Sequence, residues 1–184
     1  VKHKAKGYET WGEEDVARFE AHWPEGTMQR LEFDIMLYTG LRRSDAVRLE
    51  RRHLQGDFIV ISTKKSQAQV ELNIPIHPDF RKVLDGISHG HRHLIVTQNG
   101  RPRSEKSFTG WIIEAAKEAG LPPHRSPHGV RKAACRRLAE ASCTALEIMS
   151  ITGHTNIKEI ETYCVAVNQK RLAEAAIGKL KGVA

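Results

Sequence analysis

Phe58-Ile59-Val60-Ile61 and, further along, Val70-Glu71-Leu72-Asn73-Ile74 are the stretches that decide the fold. The first is β-branched and apolar; the second alternates apolar and polar residues with period two, and both patterns belong to strands. Joined through residues 64–69 they predict one antiparallel hairpin, closed by Pro75 and Pro78. Everything around it reads as helix. Upstream, residues 10–21 carry Glu13, Glu14 and Asp15 where a helix dipole favours acids, with Thr10 as N-cap and Val16 and Phe19 facing inward. Thr27 caps a second helix, in which Leu31, Ile35, Leu37 and Tyr38 recur at helical spacing before Gly40 ends it. Ser44 starts a short helix.

Downstream, residues 78–84, 104–119, 126–141, 144–151 and 157–162 read as helices, and Ser126 with Pro127 gives a strong start signal. A last amphipathic helix is predicted over 168–180, with Leu172, Ala176 and Leu180 on one stripe. Residues 86–100 are loop-rich, with a short strand at 94–97. The expected fold class is α+β, a mostly helical domain with a small antiparallel β-sheet.

The chain has 184 residues, enough for one domain with a real core. No apolar run reaches the length of a membrane span, and the opening Val1-Lys2-His3-Lys4 lacks an apolar signal stretch, so a cytoplasmic location is expected. Cys135, Cys143 and Cys164 form no CxxC pair and read as buried free thiols. Twenty-nine basic against 22 acidic residues give a net charge of +7. Residues 9–34 are strongly acidic, whereas 41–65 and 101–137 are basic. Such asymmetry predicts one acidic face and one basic face, the footprint of a nucleic-acid binder.

Against that background a set of residues stands out. Thr39-Gly40-Leu41-Arg42, His128-x-x-Arg131 and Thr152-Gly153-His154, followed by Tyr163, hold what metal-free cleavage of a phosphodiester requires. The transition state spreads negative charge over the non-bridging oxygens, and forked guanidiniums match it better than ammonium groups do. Arg42 and Arg131 can clamp both oxygens from different elements. His128 and Arg131, three apart, share a helical face near a helix N-terminus. Tyr163 can serve as nucleophile, but a phenol titrates near pH 10 unaided and needs a base or a strongly positive site. Lys64 and Lys65 in the hairpin turn offer a general acid for the leaving oxygen. Each piece also has an ordinary reading: a dipole partner for Arg42, a carboxylate partner for Arg131, a turn histidine, a half-buried tyrosine. Their coincidence in order and interval favours the chemistry.

These residues resemble the catalytic domain of the tyrosine recombinases, the phage-integrase family, over positions 7 to 180. Thr39-Gly40-Leu41-Arg42-x-Ser44-Asp45 is similar to the first-arginine box, with Asp45 as the supporting acid. Ser126-x-His128-Gly129-Val130-Arg131 is similar to the second box, and Thr152-Gly153-His154 with Tyr163 to the third. The hairpin departs from the family's Lys-Thr-Gly in reading Lys65-Ser66-Gln67-Ala68, which leaves Lys64 and Lys65 both in play as the acid. The resemblance implies a site-specific recombinase or integrase of a phage or other mobile element, without cofactor or metal. Arg42, Arg131 and His154 hold the scissile phosphate, and Tyr163 attacks it to give a 3′-phosphotyrosyl link. Lys65 protonates the leaving 5′-oxygen, and His128 assists at the tyrosine. Arg43, Lys64, Arg103 and Lys132 are the further DNA contacts expected. The partner implied is double-stranded DNA, with a homo-tetramer on it and a monomer for the isolated domain. Family members carry an N-terminal core-binding domain, so the chain is expected to be a C-terminal catalytic fragment.

Two rivals remain at this point: a type IB topoisomerase, which relaxes supercoils with similar groups, and a DNA-binding module without chemistry. His89, His91 and His93 alternate as a zinc site on a strand would, but Gly90, Arg92 and the lack of carboxylates favour a basic loop.

Overall fold

A computed structural model describes residues 9–64 and 70–180, without the side chains at positions 166, 168, 170–172, 175 and 180. Helix α1, Glu13–His22, starts at Gly12 rather than Thr10, because Asp15 at its third position accepts the Gly12 amide at 2.8 Å. Phe19 faces inward and stacks with Trp11 and Phe33, with centroids 4.4–5.5 Å apart. Helix α2, Met28–Thr39, is capped by the Thr27 hydroxyl and closes at Gly40. Its residues from Leu31 through Leu37 are all buried, which makes it the central rod of the domain.

Helix α3, Arg43–Ala46, leads through a 3-10 turn to strands β1, Leu54–Gln55, β2, Phe58–Ser62, and β3, Glu71–Pro75. The sheet has the order β1-β2-β3 and is antiparallel throughout. Ile59 faces Ile74 and Ile61 faces Leu72, so the alternating residues that predicted the hairpin are those that reach the core. The two-residue β1 is too short to leave a periodic signal, and the turn at 65–69 lies outside the described residues.

Helix α4, Pro78–Asp85, is followed by a loop in which the strand expected at 94–97 is replaced by single bridges, Glu50 to His93 and Val96 to Pro102. Helix α5, Glu105–Glu118, α6, Pro127–Glu140, and α7, Ala145–Thr152, are capped by Ser104, Ser126 and Thr144. In α6, Gly129 is required by a close approach: a Cβ there would lie 2.2 Å from the Glu9 carbonyl oxygen. The segment before α1 crosses α6 at that point, and Trp11 Nε1 donates to the Ser126 carbonyl at 3.2 Å.

Two further expectations are corrected. Helix α8 runs unbroken over Ile157–Leu180 rather than as two pieces, because no glycine or proline interrupts Tyr163-Cys164-Val165-Ala166-Val167. Of the stripe expected on its second half, Leu172 and Leu180 lie outside the described side chains and Ala176 is exposed. The acidic 9–34 block is also not wholly separate from the basic 101–137 block. Arg125 pairs with Glu9 at 2.7 Å and Asp15 at 2.8 Å, while Arg136 and Arg137 share Glu13 at 2.6 and 3.1 Å. These two blocks meet along the α1–α6 seam, where three acids and three arginines offset one another.

Beside the main core lies a smaller apolar cluster formed by Cys135, Ala139, Ile148 and Ile160, with Cys143, Tyr163, Cys164 and Val167 packed on it. Cys135 is buried as expected, whereas Cys143 and Cys164 are only partly covered.

Candidate active site

Helices α2 and α7 end in left-handed residues, Gly40 and Gly153. At Gly153, φ is +69° and a Cβ would meet Leu72 Cδ1 at 2.9 Å, so a side chain there would strain the backbone and displace Leu72. These two helix ends bring their final carbonyls together. Arg131, buried to 4% exposure in the second turn of α6, donates through Nη1 to the Gly40 carbonyl and to that of Thr152 at 2.9 Å. Arg42, at the cap before α3, donates through Nη1 to the Gly153 carbonyl at 3.3 Å. Carbonyls at a helix C-terminus carry partial negative charge, so they orient a guanidinium without neutralising it. Each fork keeps further N–H donors for a ligand.

His154 completes the group. The Thr152 hydroxyl donates back to the Ile148 carbonyl at 2.8 Å and lies 2.6 Å from His154 Nδ1. A hydroxyl has one proton, so the assignment in which Nδ1 donates to Thr152 leaves Nε2 to accept from Arg131 Nη2, which lies 2.9 Å from Nε2 and 3.1 Å from Nδ1. A guanidinium beside both ring nitrogens favours the neutral imidazole. Burial and the positive charges of Arg131 and Arg42 push its pKa down to about 3. Arg131 itself is lowered to about 10 by burial and by Arg42, and still carries its charge at neutral pH.

A cleft of about 500 Å³ opens in front of this group, lined by Arg42, Arg43, Lys64, Ser126, His128 and Arg131 among others. His128 is part of that lining, with a pKa lowered by desolvation and by Lys132, Arg131 and Arg43. Asp45 is fully buried, and its Oδ1 accepts the Lys64 amide at 2.8 Å and Arg48 Nη1 at 3.4 Å, pinning the base of the hairpin to α3. Lys65 lies outside the described residues. Tyr163 sits half-buried in the smaller apolar cluster, and its phenol is pushed up to about 12 by burial and by Cys135, against the lowering effect of Arg131.

Arg103, expected as a DNA contact, has a different place. It is buried, its Nε is 2.7 Å from Glu32 Oε1, and its guanidinium lies 4.0 Å from the Trp111 ring centroid. A guanidinium held this way is not presented to a phosphate. The cleft also contains an acid that the sequence did not single out. Glu105, in the first turn of α5, lies 3.6 Å from Arg43 and 3.7 Å from Lys64. Nothing local marks it, because its partners are distant in sequence. His89 and His91 stack at 5.2 Å, and His93 lies 3.4 Å from Glu50. Among the described residues, no group of three or more His, Cys, Asp or Glu is gathered to hold a metal ion, and no helix is long and apolar enough to cross a membrane.

Comparison with known proteins gives residues 14–170 as a match to the Phage integrase family. The virulence plasmid integrase pGP8-D of Chlamydia muridarum is 26% identical over 132 residues, covering 70% of this chain and 40% of the relative. The tyrosine recombinase XerD of Halalkalibacterium halodurans is 22% identical over 142 residues, covering 71% of this chain and 46% of the relative. The chain therefore spans less than half the length of these curated relatives. Among solved structures, a lambda integrase tetramer bound to a Holliday junction has a similar fold, with a TM-score of 0.67 at 19% identity over 82% of this chain and 48% of that one.

Proposed function

Because the chain belongs to the phage integrase family, we propose that it is the catalytic part of a site-specific DNA recombinase, cleaving and rejoining strands through a 3′-phosphotyrosyl intermediate. The observation that carries this reading is the convergence of Arg42, Arg131 and His154 on the ends of two helices at the back of an open, basic-lined cleft. Among the described residues no carboxylate pairs with either guanidinium, and Glu159 comes only within 4.0 Å of His154, so the group is set up for an anionic ligand.

A duplex phosphate enters the cleft and takes the unused donors of both forks. Tyr163 Oη attacks phosphorus, the bond to the 5′-oxygen breaks, and the phosphotyrosine keeps the energy of the lost bond for rejoining. His128 takes part in moving the phenolic proton. A hairpin lysine, Lys65 or Lys64, supplies the proton to the leaving oxygen, with Asp45 holding the base of that hairpin. The two guanidiniums take the charge that develops, so the step needs no metal ion. Arg43, Lys64 and Lys132 extend the basic surface along the DNA. Assembly as a homo-tetramer on DNA follows from the same reading and is the state in which the matched lambda integrase is seen on a Holliday junction.

The test is a library of nicked suicide duplexes incubated with the chain. A covalent protein–DNA adduct is expected, and Tyr163→Phe should abolish it. Relaxation of plasmids regardless of sequence would instead assign a topoisomerase. Salt-sensitive binding with no adduct on any duplex would leave a binding module and overturn the reading.

A further inference from the structure

Ile160, Tyr163, Cys164 and Val167 form one stripe of α8 at helical spacing, and that stripe lies on the smaller apolar cluster. The nucleophile and the cysteine after it therefore share a face. Cys143 reaches the same cluster from the turn between α6 and α7. There Ser142 is left-handed, with φ 71°, and the Cys143 amide donates to the Leu138 carbonyl at 3.0 Å. That turn folds Cys143 back over the last turn of α6, where α8 packs. Cys143 and Cys164 are both partly open to solvent; Cys135, the third thiol in the cluster, is 1% exposed.

We propose that Cys143 and Cys164 are an oxidisable pair whose disulfide ties α8 to the α6–α7 turn and keeps Tyr163 in its apolar seat. The chemical partner is a low-molecular-weight disulfide. The Cys164 thiolate attacks it, forming a mixed disulfide and releasing one small thiolate. The Cys143 thiolate then displaces the second small thiolate and closes the protein disulfide. Two protein thiols are oxidised, one small disulfide is reduced to two thiols, and the two protons lost by the cysteines end on those thiols. The Cys143 thiol is raised by burial, by Glu147 and by Cys164, so it is assigned the resolving step, in which the mixed disulfide is already held beside it. Cys135 is excluded as that partner by its depth and by a thiol pushed up to about 11 by burial.

The effect on cleavage rests on the reading of Tyr163 as the nucleophile; the linkage and the anchoring of α8 do not. The chain is treated with glutathione disulfide and followed by peptide mass spectrometry, by amide hydrogen exchange and by adduct formation on a suicide duplex. The expected result is a Cys143–Cys164 cross-link, slower exchange in the first half of α8, and an adduct rate reduced roughly tenfold and restored by dithiothreitol. Cys143→Ser and Cys143→Ala should keep the basal rate and lose the response. A cross-link through Cys135, glutathione adducts without a cross-link, or unchanged exchange across α8 would overturn the proposal. Failure of adduct formation in the reduced chain, with the cross-link and slowed exchange intact, would count against the recombinase reading alone.

Discussion

His154 is held neutral in a site that would bind an anion, and that tension has measurable consequences. Its folded pKa of about 3 lies below the ordinary 6.5. Between those values the unfolded chain takes up a proton that the folded chain refuses. The stabilising effect is therefore complete above pH 6.5 and is lost as the pH falls towards 3. His154→Asn should flatten that part of a urea-unfolding profile. Adding inorganic phosphate should raise the His154 pKa by ~1 unit or more, seen in imidazole NMR shifts, since an anion favours the charged ring. No movement of the resonance would mean that the group does not bind phosphate. Arg103 gives a contrasting case. Arg103→Met removes the donor that Glu32 Oε1 accepts from and should cost about 1–3 kcal/mol near neutral pH, the penalty of one buried hydrogen bond. Burial already raises Glu32 to about 8. Below that pH the carboxyl is protonated with or without Arg103, so the loss should stay nearly constant between about pH 4.5 and 7 and grow as the pH rises above about 8. DNA affinity per folded molecule should stay the same; a fall would return Arg103 to the DNA-contact role that the sequence assigned it.

Helix ends explain much of what the sequence made legible. Thr27, Ser104, Ser126 and Thr144 carry capping chemistry in their own side chains, and the helices start where those residues predict. Gly12 was harder to see, because its capping partner is the carboxylate of Asp15 three residues on. The hairpin was legible from period-two alternation, while β1 had too few residues to alternate. Helix α8 was split in the reading because its apolar stripes before and after Val165 differ, yet a backbone without a breaker simply continues. At the α6 end, Ser142 holds a left-handed conformation that glycine adopts without penalty. Ser142→Gly should stabilise the fold by about 0.5–1 kcal/mol, after the larger unfolded-state entropy of glycine is deducted. A urea midpoint that fails to rise would show that the Ser142 side chain compensates for its own strain.

At the scale of the molecule, charge is where reading the sequence as a line failed. The boxes around Arg42, Arg131, His154 and Tyr163 were legible because each is local, and the chain brings the first three into hydrogen-bonded contact. The acidic and basic blocks were equally visible, but which block meets which depends on α1 lying across α6, and no local pattern encodes that. A salt titration separates the two kinds of cation. Arg43→Gln should make the slope of log affinity against log salt shallower by about 0.9, the value of one lost phosphate contact. Arg136→Gln and Arg137→Gln should weaken folding while leaving that slope unchanged, measured by fluorescence anisotropy on one duplex. A shallower slope from either would move these arginines onto the DNA face. The helix-end anchors of Arg42 and Arg131 carry a last consequence, a genetic one. A main-chain oxygen is present whatever side chain its residue bears, so no point substitution can delete the anchors themselves. Damage to the clamp by mutation is displaced onto positions that set the path of the backbone. A saturation scan should find Gly153 among the least replaceable residues, although it brings no functional group of its own to the reaction.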